Sequence, residues 1–366
     1  MFLMNCWYVA AWSHELSSAT VSRKLLNQPI LLYRTTQGTP IAFQDRCPHR
    51  LVPLSAGTRV GDTIRCGYHG MEFGPDGRCQ HIPGQDQIPD TARVVTYPVH
   101  EQYGLIWIWM GQNDLANRDL IPAIPWASLD GWTASPGYTH IAADYRLLTD
   151  NLLDLSHETY IHGSTIGNSS EETIAGYPVK VSVDDGRVVS ARRDMPNIAP
   201  PPMFAMLNQS SARIDRWQTA IWIAPSLNIT DGGVRPAGGE IGEASLARVL
   251  HLLTPESDRS THYFWAFCRN FRQQDGKLTE AITQAHRRTF DEDKHMLELQ
   301  QLSLEQTGLA VPKVALRVDE APLRARRILN QLMKHEAASP NHVLPPISRI
   351  LQTEPALHGE RDNVKA

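Results

Sequence analysis

The 366-residue sequence lacks the features of membrane, secreted and nucleic-acid-binding proteins. It has no run of about 18 apolar residues that could cross a bilayer, and its apolar start has no basic head of a signal peptide. The net charge is only −4, so no basic surface for nucleic acid or lipid is expected. Five cysteines without disulfide-like spacing indicate a reducing environment. We therefore expect a soluble, cytoplasmic protein with no nucleic-acid or membrane partner.

The sequence also lacks a Gly-X-Gly-X2-Gly motif, the phosphate-binding turn of flavin and nicotinamide domains. If the chain performs redox chemistry, its electrons must therefore come from a separate protein. The length predicts two domains. Prolines and weak periodicity in 113–137 place the boundary in that segment, which gives domains 1–125 and 126–366.

Hydrophobic periodicity predicts a turn-rich β domain first and a mixed domain after it. Short apolar runs broken by turn residues fill 1–112, which is typical of strands. The second part combines period-2 patterns with late helical patterns: a hairpin at 176–193, strands near 213–223, 246–253 and 260–268, and helices at 278–304 and 319–336. Glycine- and proline-rich 231–242 predicts a mobile loop between strands. The fold class is therefore α+β.

Two short segments each carry one cysteine and one histidine: Cys47-Pro48-His49-Arg50 and Cys66-Gly67-Tyr68-His69-Gly70. Four such donors at ligand spacing indicate a metal site. A zinc finger usually places two cysteines together and two histidines further on. The alternation seen in this chain instead suits two inequivalent irons, one held by cysteines and one by histidines. We predict a Rieske 2Fe-2S cluster, with structural zinc as the alternative, on Cys47, His49, Cys66 and His69.

A second group of donors lies in the run 151–163. On a helix, Asp154 and His157 are three residues apart and share a face. His157 and His162 are five apart, about 140° around a straight helix, so both reach one metal only if the helix ends or distorts between them. Gly163 is a suitable stop. Two histidines and one carboxylate form the facial triad of mononuclear non-haem Fe(II) oxygenases.

The carboxylate is expected from the late helix. Asp293 lies three residues after Phe290 and four before Leu297, so it points toward the apolar side and needs a partner such as a metal. Asp291 and Glu292 lie on more exposed sides by the same count. Taken alone, the two histidines and the acidic cluster are more typical of solvated helix surfaces. Together with an electron-carrying cluster upstream, they indicate an Fe(II) site that consumes those electrons.

The whole chain resembles the terminal oxygenase subunit of Rieske non-haem iron oxygenases, most closely the vanillate O-demethylase branch. The two cysteine–histidine segments, the Asn-X2-Asp-X2-His-X4-His run and the late Glu-Asp pair carry the resemblance, as do three further stretches: 5–10, 66–79 and 82–85. Many members of the family have Trp where this chain has Met71. The resemblance implies an N-terminal all-β Rieske domain and a catalytic domain with an antiparallel sheet wrapped by helices.

The resemblance also implies a homotrimer in which the cluster of one subunit reduces the iron of the next. Asp154 would then accept a hydrogen bond from His69 of the adjacent subunit and touch His157, and Asn151 would support it. Electrons would come from a reductase of the flavin and ferredoxin type. By resemblance and by their position on strands, Asn228 and His251 are expected to contact the substrate.

The expected function is O2-dependent monooxygenation in aromatic catabolism, as O-demethylation or methyl hydroxylation of a vanillate-like aromatic acid. Ring hydroxylation of another aromatic or heterocyclic compound is an alternative, because the family motifs are shared. A Rieske electron carrier without oxygenase activity is an alternative of another class, and it would lack the mononuclear iron.

Overall fold

The computed structural model describes residues 1–17, 19–208, 210–308 and 314–347, and it confirms the α+β class. Eleven short strands before residue 110 form three small antiparallel sheets, in the orders β1-β11-β10, β2-β3-β4-β9 and β5-β6-β7-β8. The strands are β1 (Trp7–Trp12), β2 (Val21–Leu25), β3 (Gln28–Arg34), β4 (Pro40–Gln44), β5 (Thr58–Val60), β6 (Thr63–Arg65), β7 (Glu72–Phe73), β8 (Cys79–His81), β9 (Thr96–Tyr97), β10 (Val99–Gln102) and β11 (Leu105–Trp109).

A seven-stranded antiparallel sheet and five helices form the second part. The sheet order is β12-β18-β17-β16-β15-β14-β13, so the first strand pairs with the last and the others follow as a meander. The elements are β12 (Thr133–Ile141), α1 (Tyr145–Leu153), α2 (Glu158–Ile161), β13 (Val179–Asp184), β14 (Val188–Ile198), α3 (Pro202–Asn208), β15 (Ile214–Ile223), β16 (Leu227–Pro236), β17 (Ser245–Pro255), β18 (Thr261–Arg269), α4 (Gly276–Thr307) and α5 (Glu320–Ala338). The predicted hairpin, the three further strands and both late helices are confirmed.

The large sheet is covered on both faces because its central strands are apolar on both sides. One face packs against the helices, with Trp222, Tyr263 and Trp265 of the sheet in one cluster with α1, α4 and α5. The other face packs against β1 and β11 of the N-terminal part, through Trp7, Trp107 and their neighbours. No helix in the described ranges is long and apolar enough to cross a membrane.

The predicted loop at 231–242 is wrong over its first half, because β16 continues to Pro236. The glycines of this strand led to its prediction as a loop. A Cβ on Gly233 would lie 2.2 Å from the ring of Trp217 on the neighbouring strand, so the strand can pass only without a side chain there. The weakly periodic segment 113–137 likewise ends inside β12, whose Pro136 is tolerated because β12 lies at the edge of the sheet.

Candidate metal centres and active site

The two cysteine–histidine segments fold into loops with the same backbone pattern. In each loop the cysteine N–H donates to the carbonyl of the fifth residue after it: Cys47 to Val52 at 2.9 Å, and Cys66 to Met71 at 2.8 Å. The cysteine carbonyl accepts from the N–H of the fourth residue after it: from Leu51 at 2.9 Å, and from Gly70 at 3.1 Å. The residue that closes each loop has positive φ, 60° at Leu51 and 72° at Gly70. Matching loops present matching ligands, as a two-iron cluster requires.

The cysteines lie inside and the histidines lie at the surface. Cys47 and Cys66 are 1% and 2% exposed, whereas His49 and His69 are exposed, with ring centroids 4.6 Å apart. Burial is the main reason that the pKa of the Cys47 thiol is raised, with Cys66 beside it adding to the effect. Backbone N–H groups of His49 and Arg50 act in the opposite direction and lower the pKa of the Cys47 thiol.

The four donors do not converge on a single ion. Within the described part of the chain, the one set of three candidate ligands whose atoms all lie within 4.8 Å of one another is His157, His162 and Asp293. A tetrahedral zinc ion, with bonds of about 2.0–2.3 Å, would hold all four of its donors closer than that. The arrangement of Cys47, His49, Cys66 and His69 therefore fits a 2Fe-2S cluster with two ligand pairs.

The second centre depends on a break in the chain at Asp154. Helix α1 ends at Leu153, a 3₁₀ turn covers Leu155–His157, and α2 ends at Ile161, so the helix does end between the two histidines. Asp154 has extended torsions, φ −113° and ψ 93°. The prediction that Asp154 and His157 share a face of one helix is therefore wrong, because the helix stops at Asp154 itself.

His157, His162 and Asp293 meet at one point. Oδ1 of Asp293 lies 3.2 Å from Nε2 of His162 and 3.5 Å from Nε2 of His157. The side chains of His162 and Asp293 are nearly buried, at 1% and 9% exposure, and that of His157 is 18% exposed. Two imidazoles and one carboxylate on one side of a point match the ligands of non-haem Fe(II), which leave the other positions open.

Each ligand is held by a second contact. Nδ1–H of His157 donates to the carbonyl of Asp154 at 2.6 Å, and Nδ1–H of His162 donates to Glu292 at 2.7 Å. These bonds leave Nε2 of both rings facing the metal point. The amide of Asn151 donates to Asp293 Oδ1 at 3.1 Å, whereas the resemblance implied a supporting role beside Asp154.

Sequence reasoning placed Glu292 on an exposed side and missed its contact with His162. The Glu292 side chain is 33% exposed, in agreement with its predicted position on the helix. Its carboxylate nevertheless reaches the imidazole of His162. Burial lowers the pKa of His162, whereas hydrogen bonds and charge from Asp293, then Glu292, raise it to about 9. The same negative charge that favours a proton there favours a divalent cation. The signal in the sequence was an acidic residue adjacent to a ligand.

The carboxylate of Asp154 faces away from the metal point. It accepts from the backbone N–H of Ser156 at 3.0 Å, and Nη2 of Arg193 lies 4.0 Å away. The expected contact with His157 is made by the Asp154 carbonyl instead of its side chain, because the side chain is engaged with the Ser156 N–H. The side chain is 20% exposed. Its predicted role toward a neighbouring subunit stays a prediction.

An apolar cavity of about 110 Å³ lies against the triad. Its lining is mostly aromatic and aliphatic, and includes Leu155, Phe204, Val249, Phe267 and Phe290. A cavity of this character suits a small aromatic ring placed next to the metal point.

The two expected substrate contacts differ in their placement. His251 lines the cavity, with Nδ1 2.6 Å from the Tyr263 hydroxyl and Nε2 3.1 Å from Oγ1 of Thr230. Burial lowers its pKa to about 3, so the ring is neutral. Asn228 is opposite His251 in the strand register but does not line the cavity. Its buried amide has no hydrogen-bond partner among the described residues.

A buried polar network beside the cavity was also missed. The carboxylate of Glu158, between the two histidine ligands, accepts from Nη2 of Arg216 and from the amide of Gln218, each at 2.8 Å. This network fixes α2 against β15 and so fixes the spacing of His157 and His162. Arg216 and Gln218, two residues apart on β15, were the available signal, since period 2 puts both on one face.

Comparisons with known proteins agree with this geometry. The Rieske [2Fe-2S] domain family matches residues 6–98, and the vanillate O-demethylase oxygenase C-terminal domain family matches residues 141–335. The chain is 38% identical to the toluene-4-sulfonate monooxygenase system iron-sulfur subunit of Comamonas testosteroni, over 92% of this chain and 98% of that one. It is 37% identical to the vanillate O-demethylase oxygenase subunit of Pseudomonas sp. strain HR199, over 92% and 96%.

Among solved structures, dicamba monooxygenase bound to 3,6-dichlorosalicylic acid superposes with a TM-score of 0.86 at 33% identity. The match covers 92% of this chain and 99% of that chain. The similarity therefore spans both metal centres and the sheet between them.

Proposed function

The chain belongs to the Rieske non-haem iron oxygenases of the vanillate O-demethylase group, and we propose that it demethylates a small methoxylated aromatic compound. It is the terminal oxygenase component, and a separate reductase supplies its electrons. The observation that carries the substrate class is the apolar cavity, about the size of one aromatic ring, against His157, His162 and Asp293. The aromatic acid expected from the sequence is one member of this class.

The residues present fit both metal groups. Cys47, His49, Cys66 and His69 would hold the 2Fe-2S cluster, and His157, His162 and Asp293 would hold the iron. The iron, when bound, supplies open coordination positions for O2, and the cluster supplies single electrons. Demethylation consumes one O2, two electrons and two protons, and it yields a phenol, formaldehyde and water.

The protein residues orient the substrate and exclude water. The aromatic lining of the cavity packs against the ring and leaves little room for solvent beside the metal point. Asn151 holds the Asp293 carboxylate, and the Glu158–Arg216 pair holds the segment that carries both histidines. Neutral His251, bonded to Tyr263 and Thr230, gives the wall a fixed dipole that can meet a polar group on the substrate.

The remaining proposals concern assembly. We propose a head-to-tail homotrimer in which His69 of one subunit hydrogen-bonds Asp154 of the next, with electrons from a flavin and ferredoxin type reductase. The exposure of His69 and the partial exposure of the Asp154 side chain, 20%, support this arrangement. We also propose that residues 1–125 form the Rieske domain and 126–366 the catalytic domain, in agreement with the change from small sheets to the large one.

The test is a screen of methoxylated benzoates and phenols with the iron-loaded protein and a generic reductase. We expect formaldehyde and phenol in equal amounts, and about three irons per chain. The Asp293→Ala variant should release no formaldehyde and hold about two irons, whereas Asp291→Ala, at an exposed position of the same helix, should match the wild type. Ring-hydroxylated products without formaldehyde would overturn the demethylase assignment in favour of ring hydroxylation.

A further inference from the structure

His286 lines the same cavity but belongs to neither metal centre. It lies on α4, seven residues before Asp293, which places it about two turns and 10 Å along the helix axis from the iron ligand. The side chain is buried and its ring packs on Phe267 and Phe290, with centroids 4.4 Å and 5.7 Å away. His286 therefore stands at the part of the wall remote from the metal point.

The protonation of the ring follows from its one hydrogen bond. Nδ1 lies 3.0 Å from the carbonyl oxygen of Ile282, and a carbonyl can only accept, so Nδ1 carries the proton. Burial lowers the pKa of the ring to about 4, so Nε2 carries none near neutral pH. Nε2 is then a hydrogen-bond acceptor, and it has no partner among the described residues.

Several other polar groups of the wall already have hydrogen-bond partners. Both ring nitrogens of His251 have partners, and Glu158 is satisfied by Arg216 and Gln218. Oε1 of Gln218 lacks a partner but is fully enclosed, so it offers nothing to a ligand. If His286 only filled space, phenylalanine would serve the same aromatic contacts without a desolvated nitrogen.

We propose that Nε2 of His286 accepts a hydrogen bond from a hydroxyl or N–H group on the substrate and thereby selects substrates that carry such a donor. This specificity role rests on the proposed function for its substrate class, a single aromatic ring with a methyl group at the metal point. The rise of about 10 Å along the helix axis from His286 to Asp293 places the donor on the side of the substrate ring away from that methyl group. A donor adjacent to the methoxy group lies too close to the metal point to reach His286.

Binding without turnover tests the proposal. The holoenzyme, kept free of O2 and reductant, is titrated calorimetrically with 4-methoxyphenol and with 1,4-dimethoxybenzene, which lacks the donor. We expect the wild type to bind the phenol about tenfold or more tightly, since one neutral hydrogen bond is worth roughly 1.4 kcal/mol. In His286→Phe this ratio should fall to about one while the Kd of 1,4-dimethoxybenzene stays within about threefold.

Three controls make the outcome decisive. His286→Gln, whose amide oxygen can accept, should restore part of the preference, and His295→Phe, at an exposed histidine of the same helix, should leave it unchanged. In the wild type, 2-methoxyphenol should bind no better than 1,2-dimethoxybenzene. The proposal is overturned if His286→Phe keeps the wild-type ratio, if it weakens both ligands equally, or if neither ligand binds the wild type. Formaldehyde plays no part in this measurement, so failure of the demethylase assignment would appear separately.

Discussion

Asp293 is the residue on which the second metal centre converges. One of its oxygens lies within 3.5 Å of both histidine ligands and accepts from Asn151, while the neighbouring Glu292 orients His162. The adjacent carboxylates of α4 thus have different roles, because Asp293 points into the core and Glu292 lies nearer the surface. This difference can be measured, since loss of a ligand should abolish iron binding, whereas loss of a residue that orients a ligand should only weaken it.

Replacement of Glu292 should weaken the iron site without abolishing it. In Glu292→Ala, Nδ1 of His162 loses its acceptor and the ring loses its fixed orientation, so iron affinity should fall by roughly 10–100-fold. Glu292→Gln, which keeps an acceptor oxygen, should lose less. The measurement is competition for iron with a chelator, with the cluster absorbance as an internal reference. Unchanged iron retention in Glu292→Ala would show that the contact does not support the ligand.

Single residues were predictable from the sequence where the chemistry is local. The Rieske ligands are separated by two or three residues within each loop, so spacing alone indicates a metal site. Asp293 was predictable because a carboxylate on an apolar helix face needs a partner. Glu292 and His286 were not, since their roles depend on which side chains α4 meets in three dimensions. Asn228 is on the expected strand opposite His251 but does not line the cavity, and its contact with substrate stays a prediction.

At the scale of elements, the break at Asp154 separates two functions of one residue. Its backbone holds His157, while its side chain caps the turn and lies near Arg193. We therefore expect Asp154→Asn to keep both metals and its fold, because asparagine also caps a turn and leaves the backbone bond intact. Turnover should fall by at least about a hundredfold if the carboxylate mediates electron entry. Iron content and single-turnover rates check this; loss of mononuclear iron would assign the carboxylate to the metal site instead.

Strand β16 makes a second prediction, because its two adjacent glycines have different surroundings. A Cβ on Gly233 would overlap the Trp217 ring at 2.2 Å, whereas one on Gly232 meets nothing nearer than a carbonyl oxygen at 3.3 Å. Gly233→Ala should therefore lower the free energy of unfolding by about 1–3 kcal/mol. Gly232→Ala should fold nearly normally. Chemical denaturation of both variants measures the contrast, and equal stability would contradict the packing described for Trp217.

The strands and helices were more predictable from the sequence than their ends. The error in the predicted end of β16 arises from the same glycines whose packing was just compared. Local sequence patterns indicate which secondary structure a segment prefers on its own. The helices predicted at 278–304 and 319–336 therefore end within a few residues of the observed ones. A glycine required by a tryptophan on the next strand carries no such local signal, and 231–236 was read as loop. The Asp154 break was partly visible, since two histidine ligands five residues apart demanded an irregular helix.

At the scale of the whole molecule, residues of the N-terminal sheets pack into the apolar clusters on both faces of the large sheet. Trp7, Trp107 and Phe264 share one of these clusters, and Tyr8, Ile106 and Tyr263 share the other, so the N-terminal part is firmly attached to the catalytic part of its own chain. His49 and His69 remain exposed in the single chain. Two routes are to be distinguished: transfer within one chain, and the proposed transfer between subunits.

Mixed trimers of two inactive variants separate these routes. Cys66→Ser removes a cluster ligand and His157→Ala removes an iron ligand, so each variant alone should be inactive. In randomly mixed head-to-tail trimers with equal amounts of each, about one quarter of the junctions pair an intact cluster with an intact iron in the next subunit. Activity should therefore recover to about one quarter of the wild type after co-expression, with mixed trimers verified by distinct tags and native mass. Transfer within one chain predicts none, because every chain lacks one of the two centres.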